Sequence, residues 1–280
     1  MKKWTKVLTA LVAVFVVGTL AACGAKKEGT GKDGLKTYVV GVASDQQKEV
    51  WEKVSDALKA DKIKIDVKLF SGYTEENPAL ADGSLDLNSF QHVAYLNNYN
   101  KENNKDLVHI AYTLISPFGL YSEKIKDPKD LKDGDTVAIP NDPTNGGRAL
   151  QALEALDIIK LKASASDSPE VKDIESYKTK IEIKPIQADQ LVATLPDVTA
   201  AFINTNYVND QMHTTPKKSA IYIDTDHLDK VNDLYKNVIA VRKEDKDKED
   251  FKKIVKAYQT PEIAKMIEKT NDYPAWDGAK

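Results

Sequence analysis

The stretch from residue 36 to residue 70 restricts the fold more than any other. "KTYVVGVA" is an apolar strand, and in "SDQQKEVWEKVSDALKA" Ser44 and Gln47 are spaced as a capping box, with Val50, Trp51, Val54, Ala57 and Leu58 on one helical face. "KIKIDVKLF" then alternates, with Ile63, Ile65, Val67 and Leu69 inward and charged side chains outward. Strand, helix and strand in succession predict a β-α-β unit. Further strands are expected at "LDLNSF", "LVHIAYTLI", "TVAIP", "IEIKPI" and "AAFI", separated by helices or turns, so the chain reads as α/β with mainly parallel pairing. No internal repeat is found.

A second seam of this kind carries unusual chemistry. "TVAIP" sets Val137 and Ile139 on one face of a short strand, and Ala149, Leu150, Leu153 and Leu156 recur at helical spacing beyond it. Between them, "NDPTNGGRAL" is a strand-to-helix turn with two asparagines, paired glycines and an arginine one turn into the helix. In open α/β sheets such turns lie where ligands sit, and a helix start offers N–H groups to an anion. Arg148 adds a forked, permanently charged donor suited to a carboxylate or phosphate.

Two segments suggest passage between lobes. "TLISPFGLYS" is a strand interrupted by Pro117 and Gly119, and "SAIYIDTDHLD" precedes another strand at "NVIAVRKED". Two crossings give a discontinuous first lobe, 36–118 plus 222–280, around an inserted second lobe, 119–221. Near the end, "RKEDKDKED" opens a helix whose Phe251, Ile254, Val255 and Tyr258 face the core, and Thr260 and Pro261 cap and start a last helix.

The N-terminus speaks to location. "MKKWTK" is cationic, "VLTALVAVFVVGTL" is an apolar run of signal-peptide length, and "LAAC" ending at Cys23 resembles the lipobox of bacterial lipoproteins. That resemblance implies cleavage of residues 1–22, diacylglycerol on the Cys23 thiol and anchoring to the extracytoplasmic face of the cell membrane. Residues 23–35 read as a flexible tether. Cys23 is the only cysteine, so the exported body holds no disulfide and must be stabilised by its own core. With 40 Lys and Arg against 43 Asp and Glu and no basic stripe with interleaved aromatics, nucleic acid is not an expected partner.

Taken together, "FSGYTEENPALADGSLDLNSFQHVAYL", "NDPTNGGRAL", "AFINTNY" and "KNVIAVRKED" resemble the methionine-binding lipoproteins of the NlpA/MetQ family, from about residue 36 to the C-terminus. The resemblance implies a two-lobed clamshell of the periplasmic-binding-protein type (type II). It further implies a methionine site in the cleft, no catalysis and no cofactor, and delivery as a monomer to the permease and ATPase of an ABC importer.

By that resemblance Arg148 is the carboxylate partner, while Asn204 and Asn237 meet the ligand's polar end, amide groups being able to accept from an ammonium or donate to a carboxylate. Asn141 and Asn145 belong to the same turn, with Asn145 near the helix N-cap. Tyr73, Phe90, His92 and Tyr95 match the family's aromatic positions and imply a slot for an unbranched thioether, each sulfur–aromatic contact contributing about 0.3–1.5 kcal/mol. His92 has no second histidine at metal-ligand spacing. Where the family commonly has Pro before the tyrosine of "FQHxxYL", this chain has Ala94, which leaves the backbone there less fixed.

Alternatives remain on sequence alone. D-methionine or a methionine-containing dipeptide would suit the same clamp, and a surface adhesin is compatible with it. An extracytoplasmic hydrolase finds no G-x-S-x-G elbow, no H-E-x-x-H and no cysteine nucleophile beyond the lipidation site.

Overall fold

The computed structural model describes residues 34–224 and 233–278. The expected signal peptide, nearly all of the tether and Cys23 lie outside the described residues.

The chain opens as β1 (Lys36–Val42), α1 (Asp45–Ala57), β2 (Ile63–Leu69), α2 (Glu76–Ala81), β3 (Leu87–Asn88), α3 (Val93–Asn103) and β4 (Val108–Ile115). It continues through β5 (Phe118–Tyr121), β6 (Thr136–Pro140), α4 (Pro143–Ala155), β7 (Ile159–Leu161), β8 (Ile174–Tyr177) and β9 (Glu182–Ile186). Next come α5 (Leu191–Thr194), β10 (Ala200–Asn204), α6 (Thr205–Met212), α7 (Pro216–Ser219) and β11 (Tyr222–Ile223). The last described elements are β12 (Lys236–Val241), α8 (Glu249–Tyr258), α9 (Pro261–Glu268) and β13 (Tyr273–Pro274).

These strands build two main sheets, ordered β13-β4-β12-β3-β1-β2 and β11-β5-β10-β6-β9. The first sheet takes strands from both ends of the described chain, and the second is built wholly from the middle. Pro117, which lacks an amide donor, stands at the break between β4 in one sheet and β5 in the other. Phe118, Tyr222 and Ile223, placed in the first lobe by the expected boundaries, pair instead in the second sheet. The return crossing follows Ile223, because β12 is back in the first sheet.

Pairing is less parallel than expected. β1 pairs parallel with β2 and β3, and β6 with β9 and β10. The strands next to the crossings run the other way: β5 against β10 and β11, and β12 against β3 and β4. A chain that leaves one sheet and re-enters it from the other lobe is not bound by the crossover geometry that makes neighbours parallel.

Each sheet is covered on both faces, as its alternating pattern requires. In the first, Trp51 and Val54 of α1 and Leu58 just after it join Phe251, Ile254 and Tyr258 of α8 and Ile263 and Ile267 of α9 against Val40, Val42 and Ile239. The Trp51 and Tyr258 rings lie 5.2 Å apart there. Leu80, Leu85, Leu96 and Leu107 pack with Val238 and Ala240 in a separate cluster. In the second sheet, Val137 and Ile139 share a core with Leu150 and Leu153, whereas the intervening Ala138 packs with Leu191 and Tyr207. That split is the period-two alternation of a strand buried on both sides.

Two apolar expectations fail in the β1-α1-β2 unit. Leu69, at the end of β2, the sheet's edge strand, is 44% exposed. Ala57 is exposed as well, at the end of α1. The Ser44 cap forms, accepting from Gln47 N–H at 3.1 Å, but the Gln47 side chain reaches back to Ala43 N–H at 2.9 Å, one residue beyond the usual partner.

Among the described residues no helix is long and apolar enough to cross a membrane, and no group of three or more His, Cys, Asp or Glu side chains is arranged to hold a metal ion.

Candidate functional site

The carboxyl ends of β1, β3, β6 and β10 converge between the two sheets, and a cavity lies there. Its walls carry Tyr73, Phe90, His92, Tyr95, Asn145, Arg148, Asn204 and Asn237, so the structure brings together eight of the nine cleft residues expected from sequence. The ninth, Asn141, is exposed and lines two outer grooves; its N–H bonds Ile186 O at 2.9 Å.

The β6–α4 turn explains the difference between its two asparagines. Asp142 is the N-cap, its carboxylate accepting from Asn145 N–H at 2.9 Å, and Pro143 occupies the first helical position. Asn145 thus sits on the third residue of the helix rather than at its cap. Its amide nitrogen is also held by Asp142, at 3.0 and 3.1 Å, which turns its oxygen toward His92 and Asn204. The glycines serve packing: a Cβ on Gly146 would come within 2.7 Å of Pro140 O, and one on Gly147 within 2.9 Å of Ser168 Cα. Only glycine lets α4 lie this close to its own strand and to the loop beyond it.

One turn later, Arg148 is buried. Its Nε donates to Asp224 Oδ2 at 2.6 Å and its Nη2 to Ser116 O at 3.0 Å. The guanidinium lies 4.7 Å from the Tyr235 ring centroid and 5.1 Å from that of Phe118. These contacts fix its plane.

His92 stands between the charged and aromatic parts of the cavity. It caps α3, its Nδ1 accepting from Tyr95 N–H at 3.1 Å, so the proton sits on Nε2, which faces Asn145 Oδ1 at 3.4 Å. Burial, reinforced by the Arg148 charge, pushes its pKa down to about 3, and the ring is neutral. The same cap fixes Tyr95 despite Ala94, and the Tyr95 hydroxyl donates to Tyr73 O at 2.9 Å.

Tyr73, Phe90 and Tyr95 form the aromatic wall, with centroid separations of 5.8 to 6.2 Å. The Tyr73 hydroxyl donates to Asn206 Oδ1 at 2.6 Å, and burial holds its pKa well above the ordinary value. Below Phe90, the side chains of Asn77, Asn88 and Gln91 are buried in a mutual amide network, with bonds of 2.6 to 2.9 Å. A satisfied buried network of this kind rigidifies the loop it supports.

The polar end keeps unused capacity. Asn204 Nδ2 donates to Asn145 Oδ1 at 3.0 Å, but Asn204 Oδ1 is buried with no hydrogen-bond partner among the described residues. Buried acceptors are seldom left so.

Several lining residues were not foreseen: Gln47, Gln91, Ser116 and Asn206. Gln91 lay inside the quoted "FQH" and Asn206 inside "NTNY", so their positions gave a signal that was not used. Ser116 was signalled only by its place beside Pro117. Several bonds join α6 to the segments that follow β1 and β2 across the cleft. Asn206 Nδ2 donates to Ala43 O at 3.1 Å, Tyr207 Oη to Ser71 O at 3.3 Å, and Asp45 N–H to Asp210 Oδ2 at 3.3 Å. The cleft is closed in this structure.

Residues 38–276 match the NlpA lipoprotein family. The chain belongs to that family. It is 37% identical to the D-methionine-binding lipoprotein MetQ of Escherichia coli K12 over 91% of this chain and 92% of that protein. Among solved structures, a nutrient-binding protein from Burkholderia cenocepacia bound to methionine is 39% identical, with TM-score 0.79, covering 85% of this chain and 99% of the other. The substrate-binding protein of a methionine transporter from Streptococcus pneumoniae is 33% identical, with TM-score 0.78, covering 86% and 96%. The fold is thus the two-lobed α/β fold of substrate-binding proteins, and the chain is a lipoprotein-family member of that kind.

Proposed function

We propose that this NlpA-family protein is a receptor that captures methionine in the inter-sheet cavity and hands it to an ABC importer. One observation carries the reading: a single cavity unites a buried guanidinium, partnerless amide capacity and a wall of three aromatic rings. A free amino acid brings three parts with matching needs. Its carboxylate needs charged donors once water is excluded, and Arg148 has N–H groups beyond the two used by Asp224 and Ser116. Its ammonium needs acceptors, and Asn204 Oδ1 and the Asn237 amide serve them. Its thioether needs a polarisable apolar wall, which Tyr73, Phe90 and Tyr95 supply.

The lobes, 36–118 plus 222–280 and 119–221 apart from the short strands noted above, act as jaws. Arg148 and Asn204 belong to one and the aromatic wall to the other, so a ligand touching both favours the closed form. The permease and its ATPase distinguish that form from the open one. Cys23 carries the lipid that keeps a monomeric receptor on the extracytoplasmic face of the membrane, and the protein binds without turning its ligand over.

Native mass spectrometry of the freshly purified protein tests this reading. A bound species with the mass of methionine, absent after unfolding, dialysis and refolding and restored by added L- or D-methionine, is expected. A co-purified ligand of another mass that methionine cannot displace would overturn it.

A further inference from the structure

Arg148 does not meet the cavity as a lone cation. Asp224 Oδ2 takes its Nε–H at 2.6 Å, and the two side chains are 17% and 5% exposed for the acid and base respectively. The other oxygen of Asp224 accepts from Phe118 N–H at 2.9 Å, and Asp224 N–H donates to Phe118 O at 3.0 Å. Backbone contacts to β5 therefore fix this carboxylate directly after β11. Among the described residues, Asp224 is not in the cavity wall and no carboxylate is. His92, also beside Arg148, is neutral. Among the described residues, Arg148 and Asp224 thus meet the cavity as a pair whose charges offset one another.

We propose that Asp224 is a specificity-determining residue, which by pairing with Arg148 matches the cavity to a zwitterion and disfavours ligands that bring a carboxylate without an ammonium. The inference rests on the methionine reading and deepens it. An unpaired buried guanidinium would attract any carboxylate. With Asp224 in place, an incoming carboxylate must share one cation with a second anion held on the same guanidinium. An α-ammonium carried on the ligand itself offsets that repulsion, and an anion lacking it leaves two negative charges on one positive. Asp224 acts through Arg148 and does not touch the ligand.

The test is a pair of calorimetric titrations on the full chain, emptied by unfolding and refolding. The ligands are L-methionine and 4-(methylthio)butanoate, the same skeleton without the amino group. The wild type should prefer methionine, and in Asp224→Asn the ratio of the two affinities should fall at least about tenfold, with Asp224→Glu keeping the wild-type ratio. If Asp224→Asn does not fold, Asp224→Ser, whose hydroxyl can still accept from Phe118 N–H, takes its place. A purely structural role would weaken both ligands alike, so a ratio within threefold of the wild type overturns the proposal while leaving methionine binding intact. A wild type that binds neither compound overturns the methionine reading and the proposal together.

Discussion

Replacing Arg148 with methionine separates what the arginine does for the fold from what it does for the ligand. The substitution removes the 2.6 Å ion pair to Asp224, the 3.0 Å bond to Ser116 O and the stacking on Tyr235 and Phe118. Methionine refills much of the volume, so the cost is chiefly electrostatic: Asp224 is left as a charge with a side chain only 17% exposed. Breaking a buried pair in this way costs about 3–5 kcal/mol, and the partial access of water to Asp224 favours the lower end. At roughly 2–4 °C per kcal/mol for a chain of this size, the ligand-free melting temperature should fall by about 6–12 °C. Removing the stranded charge with Arg148→Met/Asp224→Asn should recover most of that loss, because the asparagine oxygen can still accept from Phe118 N–H. Binding should not recover. Both variants lack the charged partner of the ligand carboxylate, a loss of about 2–5 kcal/mol, which is at least about 25-fold in affinity. Differential scanning calorimetry and methionine titration on the same samples read the two effects. A double variant no more stable than the single one would refute the account of the pair, and unchanged affinity in either variant would remove Arg148 from the site.

Three further outcomes are expected. Glu76 is fully buried, both its carboxyl oxygens lack partners among the described residues, and burial raises its pKa from 4.5 to about 8. The folded state therefore holds a proton that the unfolded chain releases above about pH 5, so stability should decline as pH rises toward 8; melting curves of Glu76→Gln should be flatter over that range, and an equal decline would show that Glu76 does not titrate in place. Asn206→Ala removes the bonds to Tyr73 Oη and Ala43 O that join the lobes; at about 0.5–1.5 kcal/mol each, affinity should fall roughly tenfold and small-angle scattering should show a larger particle at partial saturation, whereas an unchanged profile would deny these bonds a part in closure. Cys23→Ser should release the protein from membranes without altering its melting temperature, and membrane retention equal to the wild type would contradict lipid anchoring at that residue.

Much of this fold was legible where a residue's local neighbours determine its environment. Val137 and Ile139 flank Ala138 in a strand covered on both faces, and the alternation is visible in the letters themselves. Pro117 marked a crossing because a residue without an N–H disfavours continued pairing within an inner strand. The position of Arg148 in the cavity wall was legible because it follows from its place in one turn of one helix. Strand direction was less so: whether β12 runs with or against β4 depends on the route of the chain through the other lobe. Asn141 and Asn145 gave the same local signal, and only the choice of Asp142 as cap puts one into the cavity and the other outside it. Asp224 was hidden for a related reason. In "YIDTDHLD" it reads as one of several solvated acids, and nothing near it in sequence announces an arginine 76 residues away.

The most direct test of the central claim is equilibrium dialysis of radiolabelled L-methionine against protein that has been unfolded, dialysed and refolded. Saturable uptake approaching one methionine per chain, displaced by unlabelled methionine and reduced at least about 25-fold in affinity by Arg148→Met, is the predicted result. Retention of label no greater than that of a folded control protein, with the refolded chain showing its normal melting transition, would contradict the claim.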